Sequence, residues 1–118
     1  MNPDQIQAFV ITLALEVPFA LWWTSRWPAD TRPHWSRVLL LALAASMITH
    51  PFLYGLVRWR PDLLPRNARI AIWESVVVLV EALVYARGLP STLRRAVGLS
   101  LGCNAVSLLL PMAIWALW

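Results

Sequence analysis

The chain has 118 residues, of which 59% are hydrophobic and 14% are charged, and its net charge is +4. Soluble domains average about 45–50% apolar and about 25% charged residues, so this composition, with a mean hydropathy of +0.61, excludes an ordinary soluble domain and predicts an integral membrane protein. The basic residues are all arginines, spread over several joints between apolar stretches. With no Gly-rich phosphate loop or RNA-binding aromatic signature, the sequence predicts no nucleic-acid partner.

Four apolar stretches follow one another along the chain, each close to the roughly 20 residues that a helix needs to cross a bilayer. They cover residues 6–23, 38–57, 70–86 and 96–118. Backbone groups inside lipid must be hydrogen-bonded within their own segment, which favours helices. The sequence therefore predicts an all-α fold, an integral membrane four-helix bundle, with residues 1–118 forming a single four-span transmembrane domain.

The three joints between these stretches cover residues 24–37, 58–69 and 87–95, and prolines are expected to stop the helices there. These prolines are Pro28, Pro33, Pro61, Pro65 and Pro90. Tryptophans cluster at the span ends, where their amphipathic rings are expected to lie at the headgroup level. They are Trp22, Trp23, Trp27, Trp35, Trp59 and Trp118.

The arginines also predict the orientation of the chain. The first and third joints carry Arg26, Arg32, Arg37, Arg87, Arg94 and Arg95, whereas the central joint carries Arg58, Arg60, Arg66 and Arg69. Cytoplasmic loops are richer in Lys and Arg, so we expect both termini on the outer side. For a bacterial source, this is the periplasmic side of the inner membrane.

Ionisable residues inside the apolar stretches point to the function. Glu16, Glu74 and Glu81 lie within predicted spans, together with His50. An ionisable group in hydrocarbon costs several kcal/mol and is tolerated mainly where it faces a bundle interior or a wet cavity. We therefore expect these four residues to face the inside of the bundle and to take part in its function.

Other polar residues recur at helical spacing with these four, so that each span has one polar face. The four polar faces consist of Thr12 and Glu16, of Ser46 and His50 with Thr49 beside them, of Glu74, Glu81 and Tyr85, and of Ser100, Asn104, Ser107 and Pro111. Glu16 and Glu81 lie roughly 16 Å into their spans, near the middle of a ~30 Å core. The predicted binding residues are Glu16, His50, Glu74, Glu81, Asn104 and Ser107, whereas Leu40 and Val77 are expected to pack elsewhere.

Three spans contain a proline (Pro18, Pro51 and Pro111) that frees a backbone carbonyl. Such a carbonyl can bind a cation, but we favour a kink that improves packing. Gly98 and Gly102 have the Gly-x-x-x-Gly spacing that allows another helix to approach closely. The single cysteine, Cys103, is interpreted as a small packing residue.

Several chemistries fit two buried glutamates and a histidine. A desolvated carboxyl binds a proton more readily than one in water, which favours proton-coupled binding or transport of a small cation or polar solute. A metal site, if there is one, would use Glu16, His50 and Glu81, but no standard metal-ligand spacing is present. Acid–base catalysis is least favoured, since no nucleophile is paired with a base in sequence. The sequence does not identify a cofactor.

The main alternative is a non-catalytic accessory subunit of a larger membrane complex, in which the polar groups hydrogen-bond one another and fix the helix packing. In either case we expect the bilayer as a partner and association as a homo-oligomer or with other membrane subunits. Four short helices leave little room for a fully enclosed site.

The segment Ala14-Leu15-Glu16-Val17 and the number of spans resemble the small multidrug resistance transporters, and Ala71-Ile72-Trp73 is similar to that family's third-span pattern. The first-helix glutamate of that family binds protons and cationic drugs, so the resemblance implies this role for Glu16. It covers about ten residues. His50-Pro51, Glu74 and Glu81 have no counterpart in the family's pattern, and the likeness serves as an analogy for mechanism.

Overall fold

The structure, a computed structural model, describes residues 3–59, 65–89 and 92–117. Over these ranges the chain consists of four α-helices without any strand: α1 (Pro3–Ser25), α2 (Trp35–Trp59), α3 (Arg66–Gly88) and α4 (Leu93–Leu117). The predicted all-α, four-helix architecture is confirmed. Most helix ends lie a few residues beyond the predicted spans. In α2, in α3 and at the start of α4 the added residues include arginines, which are good helix formers.

The prolines divide as their positions in the sequence predict. Pro28, Pro33 and Pro65 lie outside the helices, while Pro61 and Pro90 fall outside the described residues. The other four lie within helices: Pro3 is the first residue of α1, and Pro18, Pro51 and Pro111 lie inside α1, α2 and α4.

The helices form a closed ring in which each one packs against two neighbours. α1 and α3 both contact α2 and α4, and α1 and α3 lie diagonally opposite each other. Short connections join consecutive helices, so neighbours run antiparallel. Residues 3 and 117, the end of α2 and the start of α3 therefore lie at one end of the bundle, here called the N/C end. The 26–34 joint, the end of α3 and the start of α4 lie at the other, here called the Trp27 end.

The half of the bundle near the Trp27 end has an apolar core of mostly small residues. Its members are Ala20, Trp27, Val38, Ala42, Ala45, Tyr85, Leu89, Ala96, Leu99 and Cys103. Small side chains allow the helix backbones to approach closely. Trp27 was predicted to anchor at the headgroups but is only 6% exposed, because the chain turns inward after α1 and places its indole beneath Arg95.

The predicted four membrane spans are not all supported by length and composition. Among the described residues, α1 over Ile6–Ser25 and α4 over Leu93–Pro111 are long and apolar enough to cross a membrane. In α3, Glu74 and Glu81 lie between Arg69 and Arg87, so every long window contains several charges. In α2, the side chains after Pro51 lie outside the described ones.

Among the described side chains, the outward-facing middle part of each helix is largely apolar. Large apolar side chains point outward from every helix, for example Val10 on α1, Leu40 on α2, Leu79 on α3 and Leu109 on α4, each more than half exposed. Only 11% of the Ile6–Ser25 stretch and 28% of the Leu93–Pro111 stretch is buried. Neither helix therefore resembles the mostly buried core helix of a soluble protein.

Candidate functional site

A cavity of about 80 Å³ lies among the four helices, directly beyond the apolar core on the side of the N/C end. All four helices contribute to its wall. A cavity needs about 10–15 Å³ to hold one water molecule, so this cavity has room for a few waters or a compact ion. Its lining consists of Thr12, Glu16, Ser46, Thr49, His50, Glu74, Val77, Glu81, Asn104, Ser107 and Leu108.

Glu16 brings a carboxylate from α1 into this cavity and is only 2% exposed. Its Oε1 accepts a hydrogen bond from the Ser107 hydroxyl of α4 at 2.8 Å, and its Oε2 accepts one from the Ser46 hydroxyl of α2 at 3.0 Å. A single carboxylate thus connects α1 to both of its neighbours, through groups that carry no formal charge.

Glu81 is arranged in the same way on the opposite side of the ring and is also 2% exposed. Its Oε1 accepts a hydrogen bond from the Thr49 hydroxyl of α2 at 2.9 Å, and its Oε2 accepts one from the Asn104 amide of α4 at 3.1 Å. The Asn104 amide also donates to the backbone carbonyl of Ser100 at 2.9 Å, which fixes its orientation.

The two carboxylates are therefore held in the same way. Glu16 on α1 and Glu81 on α3 each accept one hydrogen bond from α2 and one from α4. They are close enough for their charges to interact, and Glu74 also contributes to the field at both. Among the residues that the structure describes, no arginine lines the cavity. A cavity with three carboxyl groups and no arginine attracts cations and protons.

His50 and Glu74 lie on the N/C-end side of this pair, as predicted, and both are partly exposed. The imidazole of His50 packs against the ring of Phe9 with 5.3 Å between centroids. Glu74 also borders an apolar groove on the outer surface between α3 and α4, together with Asn104 and Leu108. These two residues thus lie where the cavity approaches the surface.

The structure brings all six predicted binding residues to one cavity but differs from the predicted set at other positions. Val77 was expected to pack away from the polar cluster, and this is wrong: it is 6% exposed and lines the cavity. The physical reason is that Val77 lies three residues after Glu74 and four before Glu81, so a helix places all three on one face. Leu40, in contrast, is exposed at 67%.

Sequence reasoning missed Ser46 and Thr49 as members of the site, although both were assigned to the polar face of their span. They supply the α2 hydrogen bonds to the two glutamates. Three other residues of the polar faces, Ser100, Tyr85 and Pro111, do not line the cavity. Ser100 donates to the carbonyl of Val78 at 2.7 Å, and Tyr85 is buried in the apolar core beside the Cys103 thiol.

The described part of the chain contains no group of three or more His, Cys, Asp or Glu residues that is placed to hold a metal ion. Glu16, His50 and Glu81 share the cavity, but they do not converge as metal ligands do. Cys103 is a buried free thiol whose Sγ donates to the backbone carbonyl of Glu16 at 3.8 Å, in keeping with its interpretation as a packing residue.

Comparison with protein-family models, with curated proteins and with solved structures finds no match for this chain. The likeness to the small multidrug resistance transporters therefore rests on the few residues around Glu16 and Trp73 alone.

Proposed function

We propose that the chain crosses a membrane with its four helices and binds a small inorganic cation at the Glu16–Glu81 cavity in exchange for a proton. The support for the membrane location is the distribution of polarity. Large apolar side chains cover the outside of all four helices, while Glu16 and Glu81 are buried inside. Water as solvent favours the opposite distribution, whereas lipid favours apolar groups outside and polar groups facing the bundle interior.

The observation that carries the binding proposal is the pair of buried carboxylates held by neutral donors. Ser46, Thr49, Asn104 and Ser107 satisfy the carboxylate oxygens without neutralising their charge. A purely structural ion pair would place an arginine opposite each glutamate. Here the compensating positive charge is a proton or a bound cation, and binding the cation releases the proton that the carboxyl had carried.

The size and chemistry of the cavity limit the cation. Pockets that bind drug-sized molecules measure about 300–1,000 Å³, several times the 80 Å³ found here. The oxygen atoms of the lining come mainly from carboxylate and hydroxyl groups, and such oxygens suit hard cations rather than soft ones. We therefore assign the site to a compact hard cation, with an alkali ion as the simplest case. This departs from the drug-binding role that the resemblance to multidrug transporters implies.

The test is proton release. Purified protein in weakly buffered detergent is mixed with lithium, sodium or potassium chloride, and the released protons are measured with a pH dye. We expect release from the wild type with at least one of these salts and none with choline or tetraphenylphosphonium chloride. Glu16→Gln and Glu81→Gln should each lose the release, because an amide has no proton to exchange.

Asp30→Asn is the matched control, since Asp30 is exposed in the 26–34 joint and the change is again from acid to amide. It should release protons like the wild type. Absence of release from the wild type with all three alkali salts would count against cation binding. It would favour the accessory-subunit alternative, in which the carboxyl groups only fix the helix packing.

A further inference from the structure

A second concave surface lies at the Trp27 end of the bundle, between the end of α1 and the start of α4. It measures about 390 Å³ and is here called the Arg–Trp groove. Three indoles line it, from Trp22, Trp23 and Trp27, and three guanidinium groups, from Arg26, Arg94 and Arg95. Among the described residues, no acidic side chain lines it, so the groove is strongly cationic.

The indoles hold part of this charge in position. The guanidinium of Arg26 lies over the Trp22 ring, 5.5 Å from its centroid, and that of Arg95 lies over the Trp27 ring at 5.6 Å. The Nη1 of Arg95 also donates to the Thr31 hydroxyl at 2.8 Å. A guanidinium has five N–H donors, so these contacts orient the groups and leave donors for an anion. The first turn of α4 adds its own partial positive charge.

The floor of the groove is apolar and open. Gly98 lies one turn along α4 from Arg94, and a Cβ added there would meet nothing within 4 Å. Beyond it, the same face of α4 continues with exposed apolar residues such as Leu109. The groove thus runs from a cationic, aromatic rim to an apolar floor, and it fits a molecule with an anionic head and an apolar tail.

We infer that the Arg–Trp groove binds a phospholipid with a net negative headgroup, with its phosphate on Arg26 and Arg94 and the start of an acyl chain over Gly98. Guanidinium groups bind phosphate through paired N–H donors, and basic residues close to a membrane surface attract anionic lipids. The inference shares only the membrane location with the proposed cation site and does not depend on cation binding.

The test measures the dissociation constant of a short-chain phosphatidylglycerol for the full chain in neutral detergent, by native mass spectrometry. Arg26→Gln/Arg94→Gln should weaken binding about tenfold or more, since each basic residue near the lipid contributes measurably. Arg37→Gln/Arg87→Gln is the matched control. It removes the same charge from exposed positions near the same end of the bundle but outside the groove, and it should change binding less than about twofold.

Two further measurements separate shape from charge and a lipid from a free anion. Gly98→Leu keeps the charge but fills the floor of the groove, and it should also weaken lipid binding. Glycerol 3-phosphate, which has the head without the tail, and phosphatidylcholine, which has no net charge, should both bind much more weakly than phosphatidylglycerol.

Each contrary result overturns the inference. Equal weakening in the two arginine pairs would mean general electrostatic attraction without a site. Equal affinity for phosphatidylcholine would remove the preference for an anionic head, and equal affinity for glycerol 3-phosphate would identify a free phosphate compound as the ligand. Proton release by Arg26→Gln/Arg94→Gln should stay at the wild-type level, so the two proposals fail separately.

Discussion

At the scale of single residues, the two buried glutamates depend on neighbours that are individually inconspicuous. Ser107 donates one hydrogen bond to Glu16 from the side of α4, and Ser46 donates another from α2. A buried acceptor that loses its donor costs about 1–3 kcal/mol, and more when it is charged. We therefore expect the hydroxyl groups of these serines to stabilise the fold by more than the burial of their small apolar surface would.

Ser107→Ala tests this dependence. We expect the free energy of unfolding in detergent to fall by about 1–3 kcal/mol, because one Glu16 oxygen loses its donor inside the cavity. The control is Ser75→Ala on α3, an exposed serine whose hydroxyl bonds to the Ala71 carbonyl of its own helix. Exposed substitutions usually change stability by about 0.5 kcal/mol or less. Equal effects of the two variants would contradict the assigned role of Ser107.

Helical spacing predicted the site residues because it determines which side chains share a face. It placed Glu16, Glu81 and Asn104 on inward faces, and the structure brings them to one cavity. It could not identify Ser46 and Thr49 as the donors, because donor contacts depend on the distance and rotation of neighbouring helices. Val77 was missed for a different reason: it shares the inward face with Glu74 and Glu81 but is apolar, so a search for polar residues passed over it.

At the scale of the helices, two glycines in one motif have different surroundings. A Cβ on Gly102 would lie 2.6 Å from the Phe19 ring of α1, whereas one on Gly98 would meet nothing within 4 Å. The Gly-x-x-x-Gly spacing alone does not distinguish them. Close approach of α1 and α4 therefore depends on Gly102, and Gly98 belongs to the surface groove.

The pair Gly102→Ala and Gly98→Ala tests this difference with the same substitution in the same helix. Gly102→Ala should lower the free energy of unfolding by about 1–3 kcal/mol, because the added methyl group forces the Phe19 ring to move. Gly98→Ala should be neutral or stabilising by up to about 1 kcal/mol, because alanine favours the helix. Unfolding in detergent monitored by circular dichroism measures both. Loss of stability in Gly98→Ala but not in Gly102→Ala would contradict the packing described.

The helix ends show a second limit of the sequence at this scale. Apolar stretches predicted where lipid contact ends, and the helices continue beyond those points through Arg37 at the start of α2 and Arg87 at the end of α3. Hydropathy falls where lipid contact ends, but the backbone hydrogen bonds of a helix can continue beyond that point. Prolines and capping groups determine the helix ends, as at Pro65 before α3.

At the scale of the whole molecule, the two ends of the bundle differ in a way that bears on access to the cavity. The Trp27 half is filled by apolar side chains, including Tyr85 and Leu99 with 0% exposure. The cavity lies on the other side of this core, and the partly exposed His50 and Glu74 line it there. We therefore expect a cation to reach the carboxylates from the N/C end in this conformation.

The last prediction decides how many helices cross the membrane. With four crossings, Ala29 and Thr92 lie on one side and Pro65 lies on the other. With crossings by α1 and α4 only, which are the two helices that meet the length and composition criterion, all three joints lie on the same side. A membrane-impermeant maleimide distinguishes the two arrangements by labelling single cysteines. The cysteines are introduced at exposed positions in a Cys103→Ser background, as Ala29→Cys, Pro65→Cys and Thr92→Cys.

We expect intact bacterial cells to label Pro65→Cys, and to label Ala29→Cys and Thr92→Cys only after the membrane is opened. The physical reason for this direction is the distribution of arginines, six in the first and third joints and four in the central one, because basic loops stay in the cytoplasm. The reverse pattern would keep four crossings and invert the orientation. Labelling of all three positions from one side would remove the four-span arrangement. It would place Glu74 and Glu81 outside the lipid, and the proposal of an intramembrane cation site would then fail with it.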